Sequence, residues 1–400
     1  MTVLIVSEPG RDGVFRFVES LIHYLVGHAV QVHFAYSDRR GCEQLTQLVS
    51  FIREHGGATL NLAVGNAPSL ADVPALRALR NFAREVHPDV IHSHSSKAGV
   101  LARTLLAFGI RTPQVYQPHA YAGMKPQGSS LRWLYETVER VLGHCGITLN
   151  VSADERNYAR EKLHLEATRM VQIPNSVDTI LFRPPSSARK RLLRRRFGLP
   201  EKALVLGSLG RAAPQKDPVT LYRAFAAVAE RNPDIVLFHL GSGELDATLD
   251  QIVQEKNLSK RIVRLRYLAT PVDFYQAVDG FILTSVYEGL SLAALEAMAC
   301  DLPLILSDAP GNHDLIELPL SHLWTAPVGN VEFFSKAIRH WAASYDRYSK
   351  PRVSNHRTIA LRQFDSQTNL SRVLELYHRL VSPTAEVSVE SSRVFWQSAP

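Results

Sequence analysis

The sequence predicts an α/β protein made of two doubly wound parallel sheets, on three observations. At 400 residues the chain is too long for one ordinary hydrophobic core, so two domains are expected. Short apolar strands alternate with amphipathic helices in both halves, the pattern of parallel strands covered by helices on both faces. The alternation breaks at 182–187, where Pro184-Pro185 and two serines read as a linker. The boundary is therefore placed between 183 and 184.

In the first half, strands are expected at 3–7, 30–36, 58–62, 90–93, 114–117, 147–151 and 170–173. Helices fall between them, for example at 14–26, 74–86, 98–108, 130–142 and 153–162. In the second half, strands are expected at 204–209, 235–240, 262–265, 281–285, 304–307 and 323–326, with helices at 218–230, 245–256 and 292–299. The second domain then runs over 184–362, a last amphipathic helix over 363–380, and a polar, loose tail over 383–400.

Hydrophobic residues at 46% and charged residues at 21% describe a globular, water-soluble chain. No apolar run approaches the ~20 residues that span a bilayer. The opening MTVLIVSEPG carries no basic n-region and enters a strand directly, so no signal peptide and a cytoplasmic location are expected. Cys42, Cys145 and Cys300 lack the paired spacing of a disulfide frame or zinc site and are expected as buried thiols.

Net charge is +7, part of it from Arg189, Lys190, Arg191, Arg194, Arg195 and Arg196. This segment has helical spacing and ends at Gly198-Leu199-Pro200. It reads either as a solvated helix face or as a contact for anionic lipid head groups. No helix-turn-helix or aromatic-interleaved pattern accompanies it, so no nucleic-acid partner is expected. The segment LRWLYETVERVLGHCG, with Trp133 and Tyr135, has two readings as well: core, or peripheral contact with a membrane.

Ligands of parallel sheets gather where the strands end, so the loops after strands are the candidate functional loops. The richest is 280–301, GFILTSVYEGLSLAALEAMACD: a buried strand, a turn at Tyr287-Glu288-Gly289, and an apolar helix. Glu288 precedes the helix and Glu296 falls on its second turn, where both can face one cleft. The helix start adds unpaired N–H groups and a positive dipole end, which suits a phosphorylated ligand.

The loop after 204–209 reads Gly210-Arg211-Ala212-Ala213-Pro214-Gln215-Lys216-Asp217. An Arg fork with a Lys point charge can balance a diphosphate without a metal. After 235–240 comes Gly241-Ser242-Gly243-Glu244, a turn that lets a ligand approach backbone. It is not a nicotinamide fingerprint, since Asp246 stands where the third glycine belongs. Asp308 to His313 forms a fourth such loop.

In the first half, Glu8-Pro9-Gly10-Arg11-Asp12-Gly13 is a weak phosphate-loop signal lacking the full dinucleotide fingerprint. Next come HSHSSKAGVLAR (92–103) and Pro118-His119-Ala120-Tyr121-Ala122-Gly123. His92 and His94 alternate along a strand end, one expected in the core and one toward a ligand. His119 is either backbone-satisfied or a donor to a sugar hydroxyl. There is no Asp-x-Asp pair, P-loop, His-Glu-x-x-His or Gly-x-Ser-x-Gly, so no metal or other cofactor is expected.

Taken in order, HSHSSKAGVLAR, PHAYAG, IPNSVD, GRAAPQKD, GSGEL, YEGLSLAALEAMA and LILSDAPGNHDLI make the chain resemble the retaining glycosyltransferases of family 4. The resemblance runs from Val3 to about Leu380. It implies the GT-B fold, two Rossmann-like domains facing across a cleft, with the last helix returning to the N-terminal domain. It implies that Arg211 and Lys216 bind donor phosphates, Glu288 sits by the transferred sugar, and Glu296 takes the ribose hydroxyls. Gly241, Gly243, Gly289, Leu290 and Ser291 would complete the donor site. His119 would face the sugar and Gly13 the diphosphate, although the family's usual glycine pair is here Gly10-Arg11-Asp12-Gly13.

The function implied is transfer of a hexose from a nucleotide-diphosphate sugar to a lipid-linked or growing glycan in surface polysaccharide synthesis. A nucleotide-sugar epimerase on the same architecture and a non-catalytic nucleotide-sugar-binding subunit are the alternatives. The expected location is the cytoplasm, with peripheral contact at the inner face of the membrane as its variant.

Overall fold

The structure is a computed structural model and describes residues 1–10, 12–126, 128–346 and 354–382. The tail expected over 383–400 lies outside the described residues. The elements in chain order are β1 (Thr2–Ser7), α1 (Asp12–Gly27), β2 (Gln31–Tyr36), α2 (Glu43–Glu54), β3 (Thr59–Asn61), α3 (Asp72–Val86), β4 (Val90–His94), α4 (Ser96–Thr104), β5 (Gln114–Gln117), α5 (Ser129–Leu142), β6 (Ile147–Asn150), α6 (Ala153–Glu161) and β7 (Met170–Gln172). They continue as α7 (Ser187–Arg196), β8 (Leu204–Leu209), α8 (Pro218–Ala229), β9 (Ile235–Leu240), α9 (Asp246–Glu255), β10 (Ile262–Leu265), α10 (Val272–Ala277), β11 (Gly280–Leu283), α11 (Leu292–Ala299), β12 (Leu304–Asp308), α12 (His313–Ile316), β13 (Leu323–Pro327), α13 (Val331–Asp346), α14 (His356–Gln363) and α15 (Ser366–Val381).

Val3 to Val6 of β1 are wholly buried, as are Ile235, Leu237 and Phe238 of β9. Strands without a polar face need helices on both sides, and parallel pairing with helical crossovers supplies them. The first unit carries a seven-stranded sheet in the order β3-β2-β1-β4-β5-β6-β7, and the second a six-stranded sheet in the order β10-β9-β8-β11-β12-β13. All paired strands described run parallel. In each sheet the order reverses once, at β1/β4 and at β8/β11, the place where ligands of doubly wound sheets ordinarily bind.

Met1–Pro174 with the chain from Gln367 forms the first unit, and Asn175–Ser366 forms the second. The sequence boundary at 183/184 follows the proline linker, but hydrogen bonds hold 175–183 to the second unit. Val177 bridges Asp365, and the Arg357 guanidinium donates to the carbonyls of Phe182 (2.9 Å), Thr179 (3.0 Å) and Ala299 (2.7 Å). The helix expected at 363–380 is α15, which starts at Ser366 because the backbone at Phe364 to Ser366 pairs with Val177; the shorter α14 before it was not expected. Asn369, Leu370, Val373 and Tyr377 of α15 are buried.

The basic segment forms α7, whose Arg189, Arg191, Arg195 and Arg196 are exposed as a solvated face while Arg194 and the aspartates of the second unit anchor its other side. Arg194 is buried, donating to Asp279 Oδ2 (2.5 Å) and to the carbonyls of Ala277 (3.0 Å) and Glu201 (2.8 Å). Lys190 reaches Asp279 (2.6 Å), while Arg189 (2.7 Å) and Arg196 (2.9 Å) share Asp273. Of the three cysteines, Cys300 is buried as expected, whereas Cys42 and Cys145 are half-buried.

Candidate functional site

The second unit assembles its charged residues at the β8/β11 reversal. After β8 the chain turns through 210–217, and Asp217 caps α8 with its side chain accepting the Thr220 N–H at 3.2 Å. After β11 it turns through 284–291, and Ser291 caps α11. The two loops are bonded to each other. Val286 N donates to the Gln215 carbonyl (2.8 Å), Gln215 Nε2 to the Tyr287 carbonyl (3.2 Å), and Thr284 Oγ1 lies 2.9 Å from the carbonyls of both Lys216 and Asp217.

Lys216 and Glu288 meet across this seam. Lys216 Nζ donates to Glu288 Oε1 at 2.5 Å, and Ser285 Oγ donates to the same oxygen at 2.5 Å. The Glu288 side chain is 8% exposed against 21% for that of Lys216, so the pair opens to solvent on the lysine side. Behind it, Ser307 Oγ donates to the Ser285 carbonyl (2.6 Å), and Asn312 Nδ2 donates to the Ser307 carbonyl (3.0 Å). The Glu288 N–H is held by the Pro310 carbonyl (2.8 Å). A Cβ on Gly311 would lie 2.3 Å from the Glu288 carbonyl, and φ there is +84°, so only glycine lets this loop close on Glu288.

Arg211 is exposed on the same loop as Lys216. Its charge is felt at Tyr287, whose phenol burial and the Glu288 carboxylate push up to about 12 against the opposing pull of Arg211. Glu296 is buried on α11 and accepts from Tyr275 Oη at 2.7 Å. Leu290 and Ser291 are buried and Gly289 is half-buried, with the Leu290 carbonyl taken by Asn175 Nδ2 at 2.8 Å.

Gly241 and Gly243 serve the neighbouring loop. A Cβ on Gly241 would lie 1.9 Å from the Gly210 carbonyl, and one on Gly243 would lie 2.5 Å from that of Ala212. Their missing side chains let the β9 loop pack directly on the Arg211 loop. His239, at the end of β9, braces this arrangement with Nε2 3.4 Å from the Gly210 carbonyl and Nδ1 2.9 Å from Tyr222 Oη. His313 is turned outward, 3.1 Å from Asp308.

In the first unit the corresponding edge is built from imidazoles. His119 Nε2 lies 3.1 Å from His94 Nδ1, and His92 Nδ1 lies 2.5 Å from Tyr377 Oη. His92 and His94 are both fully buried, so neither points outward as the alternation predicted. Phe17 of α1 packs against both His94 and His119. Burial holds His92 and His119 down to about 3 and His94 well below the usual imidazole range, so all three are neutral near pH 7. His119 and Ala120 have φ of 53° and 81°. The Glu155 carboxylate locks this turn by accepting the N–H groups of Ala120 and Val151.

Gly13 lies in the first turn of α1 and is exposed. Glu8, at the end of β1, is buried and paired with Arg40. Lys97 is taken by Asp72 and the Ala67 carbonyl, so it serves α3 and α4.

The sequence did not single out Ser285, Ser307, Asn312, Tyr275, Glu155 or Tyr377. Only Glu155 had a readable signal, since Ser152-x-x-Glu155 is a capping-box spacing. Ser285 lies three residues before Glu288, whereas Ser307, Asn312, Tyr275 and Tyr377 come from other strands and helices.

Residues 11–181 match the family description "Glycosyltransferase Family 4", and residues 189–355 match "Glycosyl transferases group 1". The chain is 29% identical over 256 residues to the UDP-Gal:alpha-D-GlcNAc-diphosphoundecaprenol alpha-1,3-galactosyltransferase of Escherichia coli, covering 63% of this chain and 66% of that protein. It is 30% identical to the D-inositol 3-phosphate glycosyltransferase of Corynebacterium aurimucosum, covering 58% of each. The chain thus spans less than two thirds of the length of these curated relatives. Sucrose-phosphate synthase from Thermosynechococcus elongatus shares the fold with a TM-score of 0.78 at 19% identity, over 95% of this chain and 99% of that one. HepE from Anabaena, solved in complex with UDP-glucose, does so with a TM-score of 0.77 at 21% identity, over 94% and 99%. Two parallel-sheet units of this topology, with the two family descriptions falling one on each half, identify the chain as a member of the family 4 glycosyltransferases of GT-B fold.

Proposed function

We propose that this protein is a retaining, metal-independent glycosyltransferase. It moves a hexose from a nucleotide-diphosphate sugar to a lipid-linked or growing glycan acceptor in surface polysaccharide synthesis. The observation that carries the reading is the Lys216–Glu288 pair at the sheet reversal, with Arg211 exposed on the same loop. The relatives' names support the substrate classes, since one is a galactosyltransferase acting on a diphosphoundecaprenol-linked sugar.

In this reading the bond between the anomeric carbon and the β-phosphate oxygen breaks, and its electron pair stays on the diphosphate. Lys216, Arg211 and the N-terminus of α11 stabilise that growing charge in place of water. The acceptor hydroxyl attacks from the face the diphosphate leaves, and its proton passes to the departing phosphate oxygen. Glu288, fixed by Ser285, stabilises positive charge on the sugar. Glu296 takes the ribose hydroxyls, and Gly289, Leu290 and Ser291 line the approach to α11. Gly241 and Gly243 act by holding the Arg211 loop in place.

In the first unit, His119 presents a neutral imidazole. Its Nε2 is engaged by His94, so Nδ1 is the nitrogen that would meet a sugar hydroxyl. Gly13, at the start of α1, would admit a phosphate to the helix N-terminus.

A panel of nucleotide diphosphates and nucleotide sugars in thermal unfolding tests the reading. One of them should stabilise the protein by about 2.7 kcal/mol at a hundredfold excess over its Kd. Transfer should survive EDTA. No stabilisation by any member of the panel overturns the proposal, and loss of transfer in EDTA overturns its metal independence.

A further inference from the structure

A neutral imidazole donates a hydrogen bond from one ring nitrogen and accepts at the other, so His119 can meet a ligand in one of two opposite ways. Its Nε2 lies 3.1 Å from His94 Nδ1, and one of these two nitrogens carries the shared proton. Burial keeps both rings uncharged near neutral pH. With the proton on His119 Nε2, its Nδ1 is a bare acceptor, able to take a proton from a hydroxyl. With the proton on His94 Nδ1, His119 is protonated at its own Nδ1 and presents a donor. His119 is half-buried, and Nδ1 is the nitrogen left to face a ligand.

The far side of His94 separates the two cases. His94 is wholly buried, and its Nε2 has no hydrogen-bond partner. If the shared proton belonged to His119, His94 would carry its own on Nε2, a buried N–H with nothing to accept it. If the shared proton belongs to His94 Nδ1, only a lone pair is stranded there. An orphaned buried N–H is the rarer and costlier of the two.

Neither ring is free to turn away. His94 lies on β4 in register with Ser7 of β1 and Gln117 of β5. Two residues apart on that strand, His92 and His94 share a face of the sheet, with ring centres 4.0 Å apart. Phe17 packs on His94 and His119 at 5.8 and 5.1 Å, and Tyr377 Oη holds His92 Nδ1 at 2.5 Å. His119 and Ala120 are in left-handed backbone, and Glu155 pins the turn by accepting the Ala120 N–H. Backbone of this kind persists where its surroundings over-determine it, and here it holds the His119 ring against His94.

We propose that His94 is a positioning residue that fixes His119 in its Nδ1–H form, so that His119 acts on its ligand as a hydrogen-bond donor and not as a base. The ligand atom it meets is then an oxygen lone pair of a sugar. The consequence for catalysis rests on the proposed transferase reading, in which the acceptor proton passes to the departing phosphate and needs no imidazole base. The protonation of the ring does not depend on that reading.

Long-range nitrogen–proton NMR correlation of histidine-labelled protein reads the proton on each ring without substrate, and His119→Gln assigns the signal. The wild type should show His119 protonated at Nδ1 and bare at Nε2 at pH 7. His94→Leu keeps the bulk and removes the donor. It should move His119 toward the Nε2–H form that free histidine favours and lower kcat for transfer by about tenfold. Affinity for the nucleoside diphosphate should not change. His94→Asn sets an amide N–H where Nδ1 stood and should restore both the Nδ1–H form and most of the lost rate. A wild-type His119 protonated at Nε2, or the same His119 signal in the wild type and in His94→Leu, overturns the proposal. So does a rate that His94→Asn leaves low while it restores the signal. If thermal unfolding shows that His94→Leu does not fold, the wild type and His94→Asn decide, and absence of the Nδ1–H form from either overturns it. If no nucleotide sugar stabilises the protein in the thermal panel, the transferase reading falls and the tautomer result stands.

Discussion

The two sheets end in loops of opposite chemistry, although both are doubly wound and reverse their strand order once. The second unit brings opposite charges together at its reversal, with Lys216 on Glu288 and Arg211 nearby. The first unit brings together three histidines that burial keeps uncharged, with Tyr377 closing the cluster. The contrast assigns different work to the two edges. A fixed cation and carboxylate can answer charge that develops on a ligand, whereas neutral imidazoles among aromatic rings offer hydrogen bonds and shape. The same topology therefore supports both jobs, and the loop residues decide between them.

The largest effect should come from the charged edge. Lys216→Ala should lower kcat/KM for sugar transfer by about a hundred- to a thousandfold, the cost of removing one preorganised stabiliser of the leaving charge. Steady-state rates on a fixed acceptor check this, with Glu288→Gln as a companion that keeps the shape of the site. A loss smaller than about tenfold would dissolve the distinction between the two edges.

The neutral edge should instead appear in stability against pH. His92 and His119 sit at about 3 in the folded protein against 6.5 when unfolded, so the unfolded chain binds more protons between those values. Their contribution is complete above about pH 6.5 and falls away as pH drops toward 3. Each group changes the free energy of unfolding by up to about 1.4 kcal/mol per pH unit within that window. Denaturant unfolding from pH 7 to pH 4 should show this slope, and His94→Gln with His119→Gln should flatten it.

Tyr377→Phe should cost about 1–3 kcal/mol of stability, because it leaves His92 Nδ1 buried without its partner. Thermal unfolding reads it directly, and donor affinity should not move. The smallest effect is expected from Ser285→Ala, which removes one of two donors to Glu288 Oε1. About 1 kcal/mol in transition-state stabilisation, or roughly fivefold in kcat, is the expected loss, with KM for the donor little changed.

Much of this architecture was legible in sequence, because buried parallel strands read as short apolar runs and the punctuation between them is local. The strands at 114–117, 204–209, 235–240 and 262–265 lie where the apolar runs put them. Helix α13 was missed although Phe334, Ala337, Ile338 and Trp341 carry the helical spacing of its buried face. The pairing of Lys216 with Glu288 could be anticipated only as loop proximity. Ser307 and Asn312 could not, since their bracing of Ser285 depends on β11 and β12 lying side by side. The basic run 189–196 is a solvated face as one reading had it, but its pairing with Asp273 and Asp279 was not legible because they are far away in sequence. For α5, the sequence left core and membrane contact open, and the side it buries is set by Arg103 from another helix through Glu139.

The central claim is that a donor diphosphate is held at the reversal of the second sheet by the Lys216 loop. Calorimetric titration of the best nucleotide sugar from the thermal panel, into the wild type and into Lys216→Ala, tests it most directly. The account predicts saturable one-site binding to the wild type and at least about tenfold weaker binding to the variant, corresponding to 1.4 kcal/mol or more. Equal affinity for the two proteins would contradict it.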